Sequence, residues 1–162
     1  MVIIYTIFVM VRKKTPKIKL DDYLLLQDDL EEKASNVFEY TIHDEEDVMM
    51  SSVGAEAFCI KNSIDEKRTN AVALCIEEMG ANIVENGIRE GEKLFLDVKV
   101  IARGEDIVIR LRDNCSDFNP VDHHKTDSDD PFAGIGIKMV FKMAKDVNYI
   151  MTMELNNLVI TI

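Results

Sequence analysis

Three polar side chains, Glu78, Asn82 and Asn86, recur every four residues in a segment that is otherwise apolar along one side. At about 100° per residue, this spacing forms a row at the edge of a buried helical stripe. The stripe consists of Val72, Cys75, Ile76, Met79 and Ile83. A carboxylate and two amides beside a core need polar partners, and a metal-bound phosphate group in a cleft would be one. Taken alone, such a row is more often the polar flank of an ordinary helix.

A second candidate is Asp113, the last residue of the alternating segment 107–113. Alternation places Asp113 on the same face as Ile107, Ile109 and Leu111, which predicts a carboxylate directed toward the core. A buried acid needs a donor, and the exocyclic amine of adenine would be one. The alternative is that Asp113 begins a turn and accepts from nearby backbone.

Two glycines one residue apart, Gly134 and Gly136, open the next predicted helix. Backbone N–H groups at a helix N-terminus, unobstructed by Cβ atoms, form an anion site. Lys138 in the first turn would add a positive charge, although a solvated surface lysine is the commoner case. By itself the glycine pair also fits a flexible turn into a helix.

Hydrophobic periodicity predicts the elements that position these residues, in the order strand, two helices, hairpin, loop, helix, hairpin. The predicted bounds are 37–42, 44–61, 63–86, 94–102, 107–113, 134–145, 147–153 and 158–162. Together they predict an α/β (α+β) two-layer sandwich, with helices packed on one face of a mostly antiparallel mixed sheet.

Three local signals refine these bounds. Asp44 is expected to cap the first helix, and its apolar side is predicted to carry Val48, Val53, Ala57 and Ile60. Ser63 and Glu66 have the spacing of a capping box for the second helix. The pair at 156–157, Asn-Asn, is expected to form the last hairpin turn.

The bulk composition narrows the class of protein. The 162 residues suffice for one domain with some spare length, and 47% hydrophobic residues allow a sizeable core. The net charge of −11 excludes a general binder of nucleic acid or anionic lipid. The three cysteines form no CxxC pair, which predicts neither a zinc site nor a disulfide framework and favours a reducing cytoplasmic compartment.

The first 35 residues are predicted to lie outside a compact domain that spans 36–162. Residues 1–11 are apolar and precede Arg12, Lys13 and Lys14. The run is too short to span a bilayer, which needs about 20 residues. Two interpretations stay open: an edge strand, or the end of a membrane helix that would tether the domain on the cytosolic face.

The ordered combination resembles the GHKL ATPase superfamily (the Bergerat-type ATP-binding fold), and most of all its anti-sigma-factor serine-kinase branch. The resemblance is carried by the segments 76–87, 112–120 and 134–138. It covers the chain from about Val37 to the C-terminus, and it implies binding of ATP or ADP with Mg²⁺.

The resemblance also implies roles. Glu78 matches the general base, Asn82 the Mg²⁺ ligand and Asp113 the adenine-reading aspartate. Thr161 lies where the family often has a threonine that supports the adenine contact. The remaining positions that match nucleotide-binding residues are Asn86, Gly134, Gly136, Ile137 and Lys138. The loop 114–133 matches the lid over the nucleotide.

The chain departs from the family pattern at three positions. The family usually has glycine where Cys115 and Asp117 stand, and histidine where Asn86 stands. These changes leave the candidate base and metal ligand in place. Phosphoryl transfer depends on positioning and charge neutralisation, so the changes bear on nucleotide affinity and turnover. In the lid, His123 and His124 lie among acids that also fit a transition-metal site, although a solvated acidic loop is the commoner case.

Three functions follow from this interpretation. The first is a serine/threonine kinase of the anti-sigma type that phosphorylates a partner resembling an anti-sigma antagonist, with the homodimer common in that branch. The second is a non-catalytic sensor of adenine nucleotides, which the missing glycines favour. The third is an interaction domain that has kept the fold without nucleotide binding.

Overall fold

The computed structural model describes five stretches, all within one compact unit that begins at Lys33: residues 36–87, 93–116, 119–124, 134–152 and 154–162. The strands are β1 (Val37–Ile42), β2 (Leu96–Arg103), β3 (Asp106–Asp113), β4 (Asp146–Thr152) and β5 (Leu155–Thr161). The helices are α1 (Glu45–Lys61), α2 (Glu66–Asn86), α3 (Pro120–His124) and α4 (Ile135–Met143).

The five strands form one open sheet in the order β1-β2-β3-β5-β4, and every described pair is antiparallel. The helices contribute to a single core on one face of this sheet, which confirms the predicted two-layer α+β fold. Leu96, Asp113 and Asn156 lie directly opposite one another on β2, β3 and β5. One transverse row of the sheet therefore carries two polar side chains on its core face.

The long helices start where short acidic side chains cap their free N–H groups. Asp44 caps α1, as predicted, by accepting from the Asp47 N–H at 3.0 Å. The capping box at Ser63 is wrong, because Ser63 has φ 59°, in the left-handed region, whereas a cap residue needs extended backbone. Asp65 caps α2 instead, and its hydrogen bonds with Arg68 lower the pKa of that carboxyl.

The core is built from the stripe predicted for α2 and the inward face of β3. Val72, Cys75, Ile76 and Met79 are all buried, and Ile83 is half-buried. On β3 the predicted inward residues are also buried: Ile107, Ile109, Leu111 and Asp113.

The predicted apolar side of α1 is wrong. Val48 faces the core at 5% exposure, but Val53 and Ile60 are 53% and 69% exposed, and Ala57 is exposed as well. The buried side is completed by smaller and polar residues, namely Ser51, Ser52, Ala55, Phe58 and Cys59. Apolar residues occur on both sides of this helix, so periodicity could not identify the core-facing side.

The last hairpin turns three residues earlier than predicted. Asn156 and Asn157 belong to β5 and are buried, at 5% and 1% exposure. The chain reverses beside Glu154, which has φ 63°. The Asn-Asn pair is typical of turns, but here two polar side chains lie inside a strand.

No helix in the described stretches is both long enough and apolar enough to cross a membrane. Residues 1–35, with both interpretations of the apolar run, lie outside the described residues, so the domain boundary at residue 36 stays a prediction.

The three thiols are buried in the described fold. Burial raises the pKa of Cys59 to about 11 and the pKa of Cys75 to about 12. At about pH 8 we expect Ellman's reagent to leave Cys59 and Cys75 unmodified in the folded protein and to react fully with both in guanidinium, because only the thiolate is nucleophilic.

The same burial predicts a loss of stability at alkaline pH. The raised pKa values mean that these thiols support the folded state fully below their ordinary pKa of 9.0, and that this support is lost as the pH rises through about 11. Rapid modification of Cys59 or Cys75 by Ellman's reagent in the native protein would contradict their burial.

Candidate functional site

A cavity of about 180 Å³ lies where the C-terminal half of α2 faces the polar row of the sheet. Its lining residues are Met79, Asn82, Ile83, Gly87, Asp113, Cys115, Ser116, Pro120, Tyr149, Asn156 and Leu158. Apolar side chains such as Met79, Ile83 and Leu158 lie beside convergent polar groups in this lining, which is the usual make-up of a small-molecule site.

Asp113 is the buried acid of this cavity, with 3% of its surface exposed. Its Oδ1 atom accepts the Cys115 backbone N–H at 2.9 Å and the Asn156 Nδ2–H at 2.8 Å. Asp113 therefore points toward the core, as alternation predicts. It also accepts a hydrogen bond from nearby backbone, as the alternative interpretation predicts. Two donors on one oxygen compensate burial of the carboxylate and fix its orientation.

Asn156 is a cavity residue that the sequence prediction missed. Tyr149 donates its hydroxyl hydrogen to Asn156 Oδ1 at 2.6 Å. The opposite amide atom, Nδ2, faces Asp113 and the carbonyl oxygens of Cys115 and Ser116, the latter two at 3.3 and 3.4 Å. The amide thus links β4, β5 and the start of the lid loop, and it holds Asp113 in place.

Strand parity contained a signal for Asn156. Leu158 and Ile160 face the core, and extending their alternation backwards puts Asn156 on the same face. The structure does not bring Thr161 to the cavity. Thr161 pairs with Val108 and lies five residues from Asn156, so it is on the opposite face near the other end of the strand.

Asn82 lines the cavity, and its Nδ2 atom donates to the Glu78 backbone oxygen at 3.0 Å. A hard cation at this position would have to bind the other amide atom, Oδ1. In the described residues, no group of three or more His, Cys, Asp or Glu side chains forms a metal site.

The Glu78 carboxylate lies against Gly136 at the start of α4. A Cβ atom built on Gly136 would lie 1.7 Å from Glu78 Oε2 and 2.6 Å from its Cδ atom. The neighbouring Glu77 has a different environment, because its Oε1 atom accepts from the Ser52 hydroxyl of α1 at 2.7 Å. The two adjacent acids of α2 therefore differ in what they contact.

Gly134 precedes α4 with φ 65°, a left-handed conformation that favours glycine, and nothing lies within 4 Å of the position of a Cβ atom. The helix has no side-chain cap. Ile137 is buried in the core, so only its backbone could reach a ligand, whereas Lys138 is exposed.

The end of α2 is joined closely to the lid loop. A Cβ atom on Gly87 would lie 2.6 Å from the Ile83 carbonyl oxygen and 2.7 Å from Cys115 Cβ. Ser116 also donates its N–H to the Gly87 oxygen at 2.8 Å. The Cys115 side chain is thus accommodated because position 87 has no side chain.

Some predicted residues cannot be placed. Asn86 ends α2, but its side chain lies outside the described residues, as do the side chains of His123 and His124 and the segment 125–133. The metal alternative in the lid therefore stays a prediction.

The contact between Glu78 and Gly136 makes a prediction about stability. In a helix, Gly→Ala normally stabilises by about 0.4–1 kcal/mol, but here the new methyl group would displace the Glu78 carboxylate. Because the Glu78 side chain is flexible and can move aside, we expect Gly136→Ala to stabilise a Glu78→Ala background more than the wild type, as measured by urea unfolding. An equal effect of Gly136→Ala in both backgrounds would contradict the contact.

The chain is similar to known proteins both in sequence and in fold. A family model described as "Histidine kinase-like ATPase domain" matches residues 44–162. Among solved structures, the chain is similar to the histidine kinase domain of the Erythrobacter litoralis EL346 blue-light activated histidine kinase. The identity is 12%, the TM-score is 0.49, and the alignment covers 83% of this chain and 71% of that chain. No match was found among curated protein sequences. Because the family model spans most of the chain, this protein belongs to the histidine kinase-like ATPase family and is a GHKL-type ATP-binding domain.

Proposed function

We propose that this domain binds Mg-ATP in the cavity between α2 and the sheet and transfers the γ-phosphoryl group to a Ser or Thr of a partner regulatory protein. The observation that carries the proposal is the buried, doubly hydrogen-bonded Asp113 carboxylate in the cavity wall. The finer assignment to a kinase of the anti-sigma type rests on the motifs at 76–87, 112–120 and 134–138.

Adenine recognition is assigned to Asp113. An ionised carboxylate only accepts hydrogen bonds, so it pairs with the exocyclic amine of adenine. It repels the carbonyl oxygen that guanine has at the same position, because both groups are acceptors. Tyr149 and Asn156 support this contact indirectly, because their hydrogen bonds hold the carboxylate in one orientation. Met79, Ile83 and Leu158 supply apolar surface for a planar base.

The phosphate groups are assigned to the start of α4. With a net charge of −11, the chain must neutralise the phosphates locally, through backbone N–H groups at Gly134 and Gly136 and through Mg²⁺ held by Asn82. When bound, Mg-ATP supplies the transferable phosphoryl group, and the metal ion neutralises its charge.

Glu78 is the proposed general base for the incoming hydroxyl group. Its carboxylate lies beside Gly136, between the helix that carries the proposed metal ligand and the helix that would receive the phosphates. That position suits a group that accepts a proton next to the γ-phosphoryl group.

A nucleotide-sensing module is the second candidate. Cys115 replaces a usual glycine and packs against Gly87, which ties the start of the lid to α2. A tied lid would couple nucleotide binding to a change in a partner surface without phosphoryl transfer. A cytoplasmic placement, with or without a tether through residues 1–11, stays a prediction for either candidate.

Calorimetric titration with Mg-ATP, Mg-ADP and Mg-GTP tests the site. We expect the wild type to bind the adenine nucleotides, and Asp113→Ala to weaken binding about 10- to 150-fold, because a hydrogen bond to a charged group contributes about 1.5–3 kcal/mol.

Asp106→Ala is the matched control, since it removes an exposed acid at the other end of the same strand. Folded wild type that binds neither ATP nor ADP would overturn both nucleotide-dependent functions.

Conversion of ATP to ADP separates the kinase from the sensor. Glu78→Gln is expected to slow the conversion by at least about 100-fold at unchanged ATP affinity, because a general base contributes about 10²–10⁴-fold. Glu77→Gln, which alters the acid bonded to Ser52, should stay close to the wild type. Glu78-dependent turnover, in which water accepts the phosphoryl group in place of the partner's hydroxyl, would favour the kinase over the sensor.

A further inference from the structure

The face of the sheet opposite the helices carries buried apolar residues that do not belong to the core. Ile101, Val108 and Val159 are 0%, 5% and 6% exposed, yet none of them is part of the core cluster. They alternate with core residues along β2, β3 and β5, so they point to the other face, which we call the outer face. The uncovered face of an antiparallel sheet normally meets water, so the burial of these residues needs an explanation.

The three residues form one patch. Ile101 lies directly opposite Val108, and Val159 is the diagonal neighbour of Val108 on β5. Val37 continues the patch to the edge strand, where it pairs with Ile101. In the part of the chain that the structure describes, the helices contribute their buried residues to the core on the opposite face. A further segment must therefore cover the outer face.

Polar groups beside the patch indicate what that segment carries. Arg110 and Arg112 follow Val108 on the outer face of β3, and both are half-buried. The Nε atom of Arg112 and the Oδ1 atom of Asn157, which is opposite Arg112, are buried and have no hydrogen-bond partner among the described residues. Buried polar atoms are nearly always hydrogen-bonded. Carboxylates are the strongest acceptors for a guanidinium group, so the covering segment should be acidic as well as apolar.

Residues 20–32 have this combination in their sequence, although they lie outside the described residues. They include six acids and no Lys or Arg. Helical spacing would place Leu25 among the acids and gather the other apolar residues on one side, namely Leu20, Tyr23, Leu24, Leu26 and Leu30. A helix of this length is marginal in water by itself, so it needs a surface. The apolar run 1–11 fits less well, because it has no acid and precedes three basic residues.

The connection to β1 is short enough to keep the segment at the patch. Val37 begins β1 beside Ile101, so the chain enters the sheet at the edge of the patch. The five residue steps from 32 to 37 span at most about 17 Å. The patch extends over three strand spacings, or about 14 Å, and a helix over residues 20–32 would be about 20 Å long. The segment can therefore cross the whole patch.

We propose that residues 20–32 form an amphipathic helix that docks on the outer face of the sheet. Its apolar side covers Ile101, Val108 and Val159, and its acids face Arg110 and Arg112. Because the segment is joined to β1, its effective concentration at the patch is high. None of these outer-face residues lines the cavity, so the proposal does not depend on nucleotide binding.

A thiol introduced into the patch of the full chain reports whether the patch is covered. Val159→Cys is a small change at a residue that is 6% exposed, and the chain without it gives the background rate of the native thiols. We expect Ellman's reagent to modify the introduced thiol slowly, because a covered thiol is inaccessible. Adding Leu24→Asp should raise the rate at least about tenfold, since a charge replaces a leucine that docking buries.

Leu25→Asp is the matched control, because it makes the same substitution on the opposite side of the proposed helix. It should leave the labelling rate unchanged. Rapid labelling without any change in residues 20–32 would overturn the proposal, and so would equal effects of Leu24→Asp and Leu25→Asp. Slow labelling that persists in Leu24→Asp would indicate another covering segment and would also overturn it.

Two further measurements complete the test. In urea unfolding of chains without the introduced thiol, Leu24→Asp should lower the midpoint and Leu25→Asp should not; equal midpoints would contradict docking. Labelling should also be independent of protein concentration across roughly a hundredfold range, because the segment and the patch belong to one chain. Protection that increases with concentration would indicate that a second copy supplies the segment, which would overturn docking within one chain.

Discussion

A carboxylate removed from water must be held by hydrogen-bond donors, and in this domain that requirement falls on Asp113. Its two donors come from different parts of the chain, the Cys115 backbone and the Asn156 side chain. The Cys115 bond is local, between residues two positions apart, whereas the Asn156 bond depends on the antiparallel register that places Asp113 opposite Asn156. The sheet, the start of the lid loop and the wall of the cavity are therefore organised around one buried acid.

The same wall connects the sheet to α2. Gly87 allows Cys115 to pack against the end of the helix, and the Ser116 N–H donates to the Gly87 oxygen. The proposed lid is thus tied at its first residues, and this close packing is why a sensing function is a serious alternative to catalysis.

Two glycines at the start of α4 define the other boundary of the proposed site. The Glu78 carboxylate occupies the space where a Cβ atom of residue 136 would lie, and Gly134 adopts a left-handed conformation. The glycines of this segment therefore have different physical roles. One provides space for an acid of α2, and the other allows the backbone conformation that opens the helix.

The sequence by itself determined the class of fold, the approximate bounds of most elements and the inward direction of Asp113. These features follow from local periodicity, because alternation and the helical repeat state which residues share a face. Motif order also led to the family, since the glycines, the acids and the amide occur in the sequence that the GHKL domain uses.

Only the tertiary structure decided which side is buried in a helix with apolar residues on both sides, and which residues meet across the sheet. Val53 and Ile60 were predicted on the same side as Val48, but local spacing cannot choose between two apolar sides of α1; packing against α2 and the sheet does. Asn156 looked like a turn residue because Asn is common in turns. Alternation with Leu158 and Ile160 contains its inward direction, but its pairing with Asp113 is an interaction between residues 43 positions apart that no local pattern contains.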